Sequence, residues 1–256
     1  MSTNDIALEP APILTLSPAD PEIEAMFKAG VHLGHAKSKN HPAMQPYIFG
    51  VRNTVSVIDL AKTKEKLAEA LAFLKGIAAK RGLVLLVGTR PAARGLITRL
   101  GEKSGMPYFT ERWIGGTLTN FKVIAKRVEH MKEIEREKAA GELEKYTKKE
   151  QMRKSEEHAR LVRFFDGLRT LTRLPDAIFI VDITHDDTAL REARKAKISV
   201  VALADTNSNA ALLDRAIPAN DDALPALTYM IGRIGEALEE GAFEAVRQTA
   251  ETEEKK

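Results

Sequence analysis

The sequence predicts an α/β fold, a doubly wound parallel sheet into which an antiparallel helical hairpin is inserted. Three observations predict it: short runs of branched apolar residues, amphipathic stretches that alternate with them, and one interval of about sixty residues that is too long for a crossover.

The runs TVSVIDL (54–60), LVLLVGT (83–89), AIFIVDI (177–183) and ISVVALADT (198–206) are too apolar for half-exposed strands and read as buried parallel ones. PYFTERW (107–113) reads as a weaker fifth strand. The stretch 61–80 puts Leu67, Leu71, Leu74 and Ile77 on one helical face. The stretch 91–105 opens with proline at the favoured first helical position and ends in glycine. A last helix, about 222–241, closes the fold. Strand and helix alternate, so helices are expected on both faces of the sheet.

Between the strands at 107–113 and 177–183 the rhythm breaks. Phe121, Ile124, Val128 and Met131 keep a three-four spacing, and Leu161, Phe164, Leu168 and Leu171 do the same on the far side of Gly141. Thr147 and Glu150 have the form of a capping box. The interval therefore reads as a coiled-coil hairpin whose arms reach about 30 Å, an arrangement suited to docking. The expected organisation is an acidic, proline-rich extension (1–21), an α/β domain (22–116 and 172–241), a hairpin (117–171) and a charged tail (242–256).

Composition narrows the function. The chain of 256 residues has no cysteine, which removes thiolate nucleophiles and cysteine-ligated metals and favours a reducing compartment. The acidic start resembles neither a signal nor a transit peptide, and no apolar run approaches a membrane span, so the expected location is the cytoplasm. The net charge of +3 hides an asymmetry: residues 1–27, 28–112, 113–173 and 174–256 carry −5, +10, +5 and −7. A basic half of this kind fits a phosphate-rich partner.

Phosphate-binding signatures are missing. There is no G-x-G-x-x-G and no G-x-x-x-x-G-K-[ST], and VGTRPAARG (87–95) supplies a turn more than a phosphate cradle. His32-x-x-His35, His41 and His185-Asp186-Asp187 could contribute to a divalent-cation site, but the H-E-x-x-H form is absent. Asp182 and Asp205 end strands where open α/β sheets place ligands, yet no activated nucleophile accompanies them. A nucleotide- or metal-dependent enzyme is thus the alternative reading, with His35, Asp182 and Asp205 as its metal candidates; the main reading requires neither metal nor cofactor.

The basic half is better explained by RNA. Lys28, Lys37, Lys39, Arg52, Lys62, Lys64, Arg90, Arg94, Arg99 and Arg112 are interleaved with Tyr47, Phe49 and Trp113. Cationic side chains neutralise phosphates, and aromatic planes stack on splayed bases. No compact RNA-binding motif is present, so the contact is expected to be broad and shape-reading.

Seven segments carry a family resemblance: AGVHLGH (29–35), PYIFGVRN (46–53), LVGTR (86–90), RWIGGTLTN (112–120), LPDAIFIVDI (174–183), DTNS (205–208) and IPANDDA (217–223). In this order they resemble bacterial small-subunit ribosomal protein two, over about residues 22–241. Asn40 and Ala43 stand where that family commonly has tryptophan and lysine. The resemblance implies a flavodoxin-like domain with an inserted hairpin, seated on small-subunit rRNA at the neck between head and body on the solvent side. It also implies a role in docking ribosomal protein one, and no catalysis. On that reading Asn53 joins the RNA-facing set, Gly115 and Gly116 turn the chain into the hairpin, and Thr117 or Thr119 caps its first arm. Arg112, Lys122, Lys126 and Arg127 face phosphates near its root, while Trp113 is either a packing wedge or a stacking surface. An RNA-binding regulator free of the ribosome is the remaining alternative.

Overall fold

The computed structural model describes residues 20–253, so the expected N-terminal extension lies outside the described residues except for Asp20 and Pro21. Asp20 caps α1 (Pro21–Lys28) by accepting from the Glu22 N–H and pairs with Lys64. Strands β1 (Leu33–Ala36), β2 (Ile48–Arg52) and β3 (Val55–Ile58) form a small antiparallel sheet in the order β1-β3-β2. Helix α2 (Leu60–Ala79), strand β4 (Val84–Val87), helix α3 (Pro91–Ser104) and the two-residue β5 (Tyr108–Phe109) follow. Then come α4 (Phe121–Ala139), α5 (Lys148–Phe165), β6 (Ala177–Ile180), α6 (Asp187–Lys195), β7 (Ser199–Ala204), β8 (Arg215–Pro218) and α7 (Leu224–Glu253).

The main sheet is parallel throughout, in the order β5-β4-β6-β7-β8. Counted along the chain its strands run 2-1-3-4-5, the order of flavodoxin-like doubly wound sheets. Side chains alternate across each strand. Leu86, Phe179, Val201 and Leu203 pack with Leu67, Leu74, Ile97, Leu227 and Leu238 of α2, α3 and α7 on one face. Leu85, Val87, Ile178, Ile180 and Val200 pack with Ile124, Val128, Leu161 and Leu190 of α4, α5 and α6 on the other.

Two strand assignments need correction. Residues 54–60 do not join the parallel sheet: β3 alternates half-buried Val55 and Val57 with buried Ser56 and Ile58 and pairs antiparallel with both neighbours. Asn53 and Thr54, both at positive φ, turn the chain between β2 and β3. The fifth parallel partner on that side is β8, overlooked because Arg215 and Pro218 bound only two apolar residues. Arg215 covers the Phe73 ring, 3.7 Å from its centroid.

Helix α7 continues to Glu253, through most of the residues assigned to a tail. Its approach to α2 depends on Gly241, where a Cβ would lie 2.4 Å from the Lys75 carbonyl oxygen and 2.7 Å from the Ala78 Cβ. Gly241→Ala is expected to cost about 1–3 kcal/mol in chemical denaturation despite alanine's better helix propensity.

Helices α4 and α5 bury Ile124, Val128, Met131, Ile134, Leu161 and Phe165; Phe165, not Phe164, is the buried member of that pair. The capping box at Thr147 and Glu150 is formed in both directions. Cross-links are polar: Lys154 pairs with Glu137 at 2.6 Å, and the His130 and His158 rings lie 3.2 and 3.1 Å from Glu157 and Glu135. Arg169 grips Glu135 with two hydrogen bonds, 2.6 and 2.7 Å, and Asp166 with a third.

The Arg169 hydrogen bonds, opposed by partial burial and assisted by His158, hold the Glu135 carboxyl at about 2. A carboxylate with a lowered folded pKa stabilises above its unfolded pKa and loses that contribution as pH falls through the folded value. Arg169→Ala should therefore cost about 1 kcal/mol at pH 7, discounted for the exposure of the pair, and the difference from the parent should fade between about pH 4.5 and 2. Urea unfolding across that pH range measures it.

Candidate nucleic-acid interface

The corner at 111–120 is organised by a residue on another helix. Glu192 of α6 is buried at 8% exposure and receives five hydrogen bonds. Its Oε1 accepts from Trp113 Nε1 at 3.1 Å and from the Gly116 N–H at 2.7 Å. Its Oε2 accepts from the N–H groups of Leu118 and Thr119 and from the Thr119 hydroxyl, at 3.0, 3.1 and 3.1 Å. Burial pushes this carboxyl up, but the hydrogen bonds from Gly116, Trp113, Thr119 and Leu118 outweigh it and leave the group below the usual glutamate value. It remains an anion that collects the donors of a loop with no regular secondary structure.

Trp113 is correspondingly corrected as an RNA-stacking candidate. Its ring is 8% exposed, packs 5.1 Å from Phe109 at 49° and has its N–H bound to Glu192, so neither face is open to a base. It is the wedge beneath the start of α4. Gly116, with φ 91°, makes the left-handed turn; Gly115 is not in that region. Neither threonine caps α4: Thr117 donates to the Ile114 carbonyl, Thr119 is held by Glu192, and Asn120 occupies the cap without a side-chain bond.

The predicted cations separate into two groups. Lys28 pairs with Glu24, Lys62 with Asp59, Lys64 with Asp20 and Glu22, and Arg94 with Glu111. Arg90 pairs with Asp182 at 2.9 Å and Asp222 at 2.5 Å. Arg99 is exposed and lacks an acidic partner among the described residues, but donates to the Gly95 carbonyl of its own helix. Lys37, Lys39, Arg52, Arg112, Lys122, Lys126 and Arg127 are exposed and have no acidic partner among the described residues; Asn53 is exposed beside Arg52. These seven fall in two stretches, 37–52, where Lys37 and Lys39 lie in a 3-10 turn just after β1 and Arg52 ends β2, and 112–127 around the Glu192 corner. A cation without an internal carboxylate retains its full charge for a phosphate.

At the carboxyl ends of the main strands, Asp182, Asp205, Asp221 and Asp222 converge on Arg90 and His35. His35 Nδ1 lies 3.1 Å from Asp205 and its Nε2 3.3 Å from Asp222. Asp182 also accepts from the N–H groups of Thr184 and His185, and Asp186 from the Thr89 hydroxyl. Burial, together with the charges of Asp182, Asp205 and Asp222, pushes the Asp221 carboxyl up to about 9 against the pull of Arg90. Of the three metal candidates the fold joins His35 and Asp205 and gives Asp182 to Arg90; Asp222 is the third residue able to ligate, its oxygen within 4.8 Å of the other two ligand atoms. The cluster fastens the loops that follow the strands to one another. The Thr89 hydroxyl that donates to Asp186 also lies 2.7 Å from His185 Nδ1.

No helix among the described residues is long and apolar enough to cross a membrane. The model of the family described as "Ribosomal protein S2" matches residues 26–241. A protein of Thermus thermophilus named "Small ribosomal subunit protein uS2" is 43% identical over 216 residues, 84% of each chain. Its namesake in Psychrobacter cryohalolentis is 40% identical over 224 residues, 88% of this chain and 85% of the relative. These relatives carry the name of a ribosomal protein and not of an enzyme. By the extent of that match, the chain belongs to the ribosomal protein S2 family of the small ribosomal subunit.

Proposed function

We propose that this protein binds small-subunit rRNA at the neck between head and body, on the solvent side, as a structural component without catalysis. The observation that carries the reading is that seven of the predicted cations, in two stretches, are exposed and lack an acidic partner among the described residues, against a sheet-end cluster whose charges are largely spent on one another. Contacts from Lys37, Lys39 and Arg52 on one side and Arg112, Lys122, Lys126 and Arg127 on the other would grip phosphate without reading sequence. The pair α4 and α5 acts as a hairpin arm in this reading, and ribosomal protein one docks beside it. The charged exterior of the arm and the Glu192 corner that fixes its root suit a rigid docking device.

Filter binding of the full chain to the small-subunit rRNA transcript tests the reading. A dissociation constant that rises steeply with salt, with a slope of several units in the logarithmic plot, is expected. Equal retention of an unrelated RNA of the same length across the salt range would contradict a specific seat on this rRNA.

A further inference from the structure

We propose that the outer face of the small antiparallel sheet is a stacking platform for unpaired RNA bases, with Phe49 as the ring and Lys37, Lys39 and Arg52 holding the flanking phosphates. The inference rests on the rRNA-binding reading above and names the kind of RNA that one part of the interface takes.

The geometry is built from the strand pairing. Ser56 and Ile58 of β3 turn inward and are buried, so Val55 and Val57 turn outward. Directly opposed residues in an antiparallel pair share a face. Leu33 of β1 stands opposite Val57, and Ala36 and Arg52 stand opposite Val55 from the two sides. Gly50 of β2 also stands opposite Val57, and the register slips between Ile48 and Gly50, at Phe49. Phe49 is 57% exposed and Leu33 45%, although both belong to regular strands. The result is an apolar row across three strands, half-buried at Val55 and Val57 and open at Leu33 and at the Phe49 ring.

Charge selects the occupant. From Lys28 to Ile58 the sequence contains four Lys and Arg residues and not one Asp or Glu. Three of the four, Lys37, Lys39 and Arg52, lack an acidic partner among the described residues. Asn53 and Thr54 form the tight turn that presents Arg52 at the end of its strand. RNA brings a phosphate with every nucleotide to such a rim. Only unpaired nucleotides also bring an open base face, since in a duplex each base is covered by its neighbours.

The test uses the full chain and four variants at two exposed positions, where folding is not at stake. Phe49→Ala should weaken binding to the small-subunit rRNA transcript by roughly 5- to 150-fold, with the salt slope unchanged because the lost contact is not ionic. Phe49→Tyr should restore binding to within about threefold, since the ring is retained. Arg52→Ala should instead lower the salt slope by about 0.7. In Phe49→Trp the added indole should be quenched by oligouridylate and by the transcript but not by a blunt RNA duplex; Trp113, already buried, gives a constant background.

Steep, salt-dependent binding by the parent chain, with Phe49→Ala binding equally well and the new indole unquenched, would overturn the platform and leave the rRNA reading standing. Loss of binding by the parent chain itself would remove both. Quenching by a ribonuclease-treated small-subunit protein fraction, with none by RNA, would assign the face to a protein and overturn the proposal.

Discussion

Replacing Glu192 with alanine is expected to lower the unfolding free energy by about 3–5 kcal/mol, a large part of the 5–15 kcal/mol typical of a domain. The carboxylate holds Trp113 Nε1, the N–H groups of Gly116, Leu118 and Thr119, and the Thr119 hydroxyl. Alanine leaves the Trp113 and Leu118 donors buried without an acceptor, at about 1–3 kcal/mol for each, and opens a space beside the indole. Relief of the buried charge offsets part of this, because the isolated carboxylate was itself costly to bury. Glu192→Gln retains one acceptor oxygen but turns an NH2 toward N–H donors, so an intermediate loss is expected. Guanidinium unfolding followed by Trp113 emission measures both effects and should report a red-shifted native spectrum for the alanine variant. A loss below about 1 kcal/mol would mean that the loop finds other acceptors and that Glu192 is not its organiser.

Simultaneous alanine substitution of Arg112, Lys122, Lys126 and Arg127 is expected to weaken rRNA binding about 100-fold or more near 0.1 M salt and to flatten the salt slope by about 3. All four are exposed and lack acidic partners among the described residues, so the unfolding free energy should stay within about 0.5 kcal/mol of the parent's. The informative contrast is a triple alanine variant of Lys28, Lys62 and Lys64. Those cations already face Glu24, Asp59, Asp20 and Glu22, and removing them also unmasks those carboxylates. Its slope should change by less per charge than that of the first variant. Equal slopes per charge in the two variants would show that internal pairing does not decide which cations reach phosphate.

The central strands were legible because burial on both faces leaves only one kind of sequence, the continuous branched run seen in β4, β6 and β7. The same rule misassigned Val55 to Ile58. Ser56 interrupts the run on its buried side, where it exchanges hydrogen bonds with Asn40, and an inward serine is what a half-buried antiparallel strand tolerates. Strand β8 was hidden by its composition: it is no shorter than β4 or β6, but two of its four residues are Arg215 and Pro218, and only pairing with β7 makes it a strand.

The site was legible in its chemistry and illegible in its connections. Composition located the cations, but Lys64 meets Asp20 across forty-four positions, and Arg90 meets Asp182 and Asp222 across the sheet end. No local pattern distinguishes these from Lys126 or Arg127. Glu192 carried one faint signal, a carboxylate placed three residues from Ala189 and beside Ala193 on the small, apolar face of α6, where a solvated glutamate has no reason to stand. The histidine and aspartate motifs suggested a catalytic or metal centre equally well on paper. In the fold His35, Asp205 and Asp222 face one another around a loop junction that Arg90 clamps.

Sedimentation of the tagged chain in a gently prepared lysate, at low and moderate salt and with or without ribonuclease, tests the central claim most directly. The account predicts comigration with the small subunit that persists in moderate salt, disappears after ribonuclease, and is lost at lower salt by the Arg112, Lys122, Lys126 and Arg127 variant. Recovery of the parent chain only as a free protein of 28.2 kDa at both salt levels would contradict it.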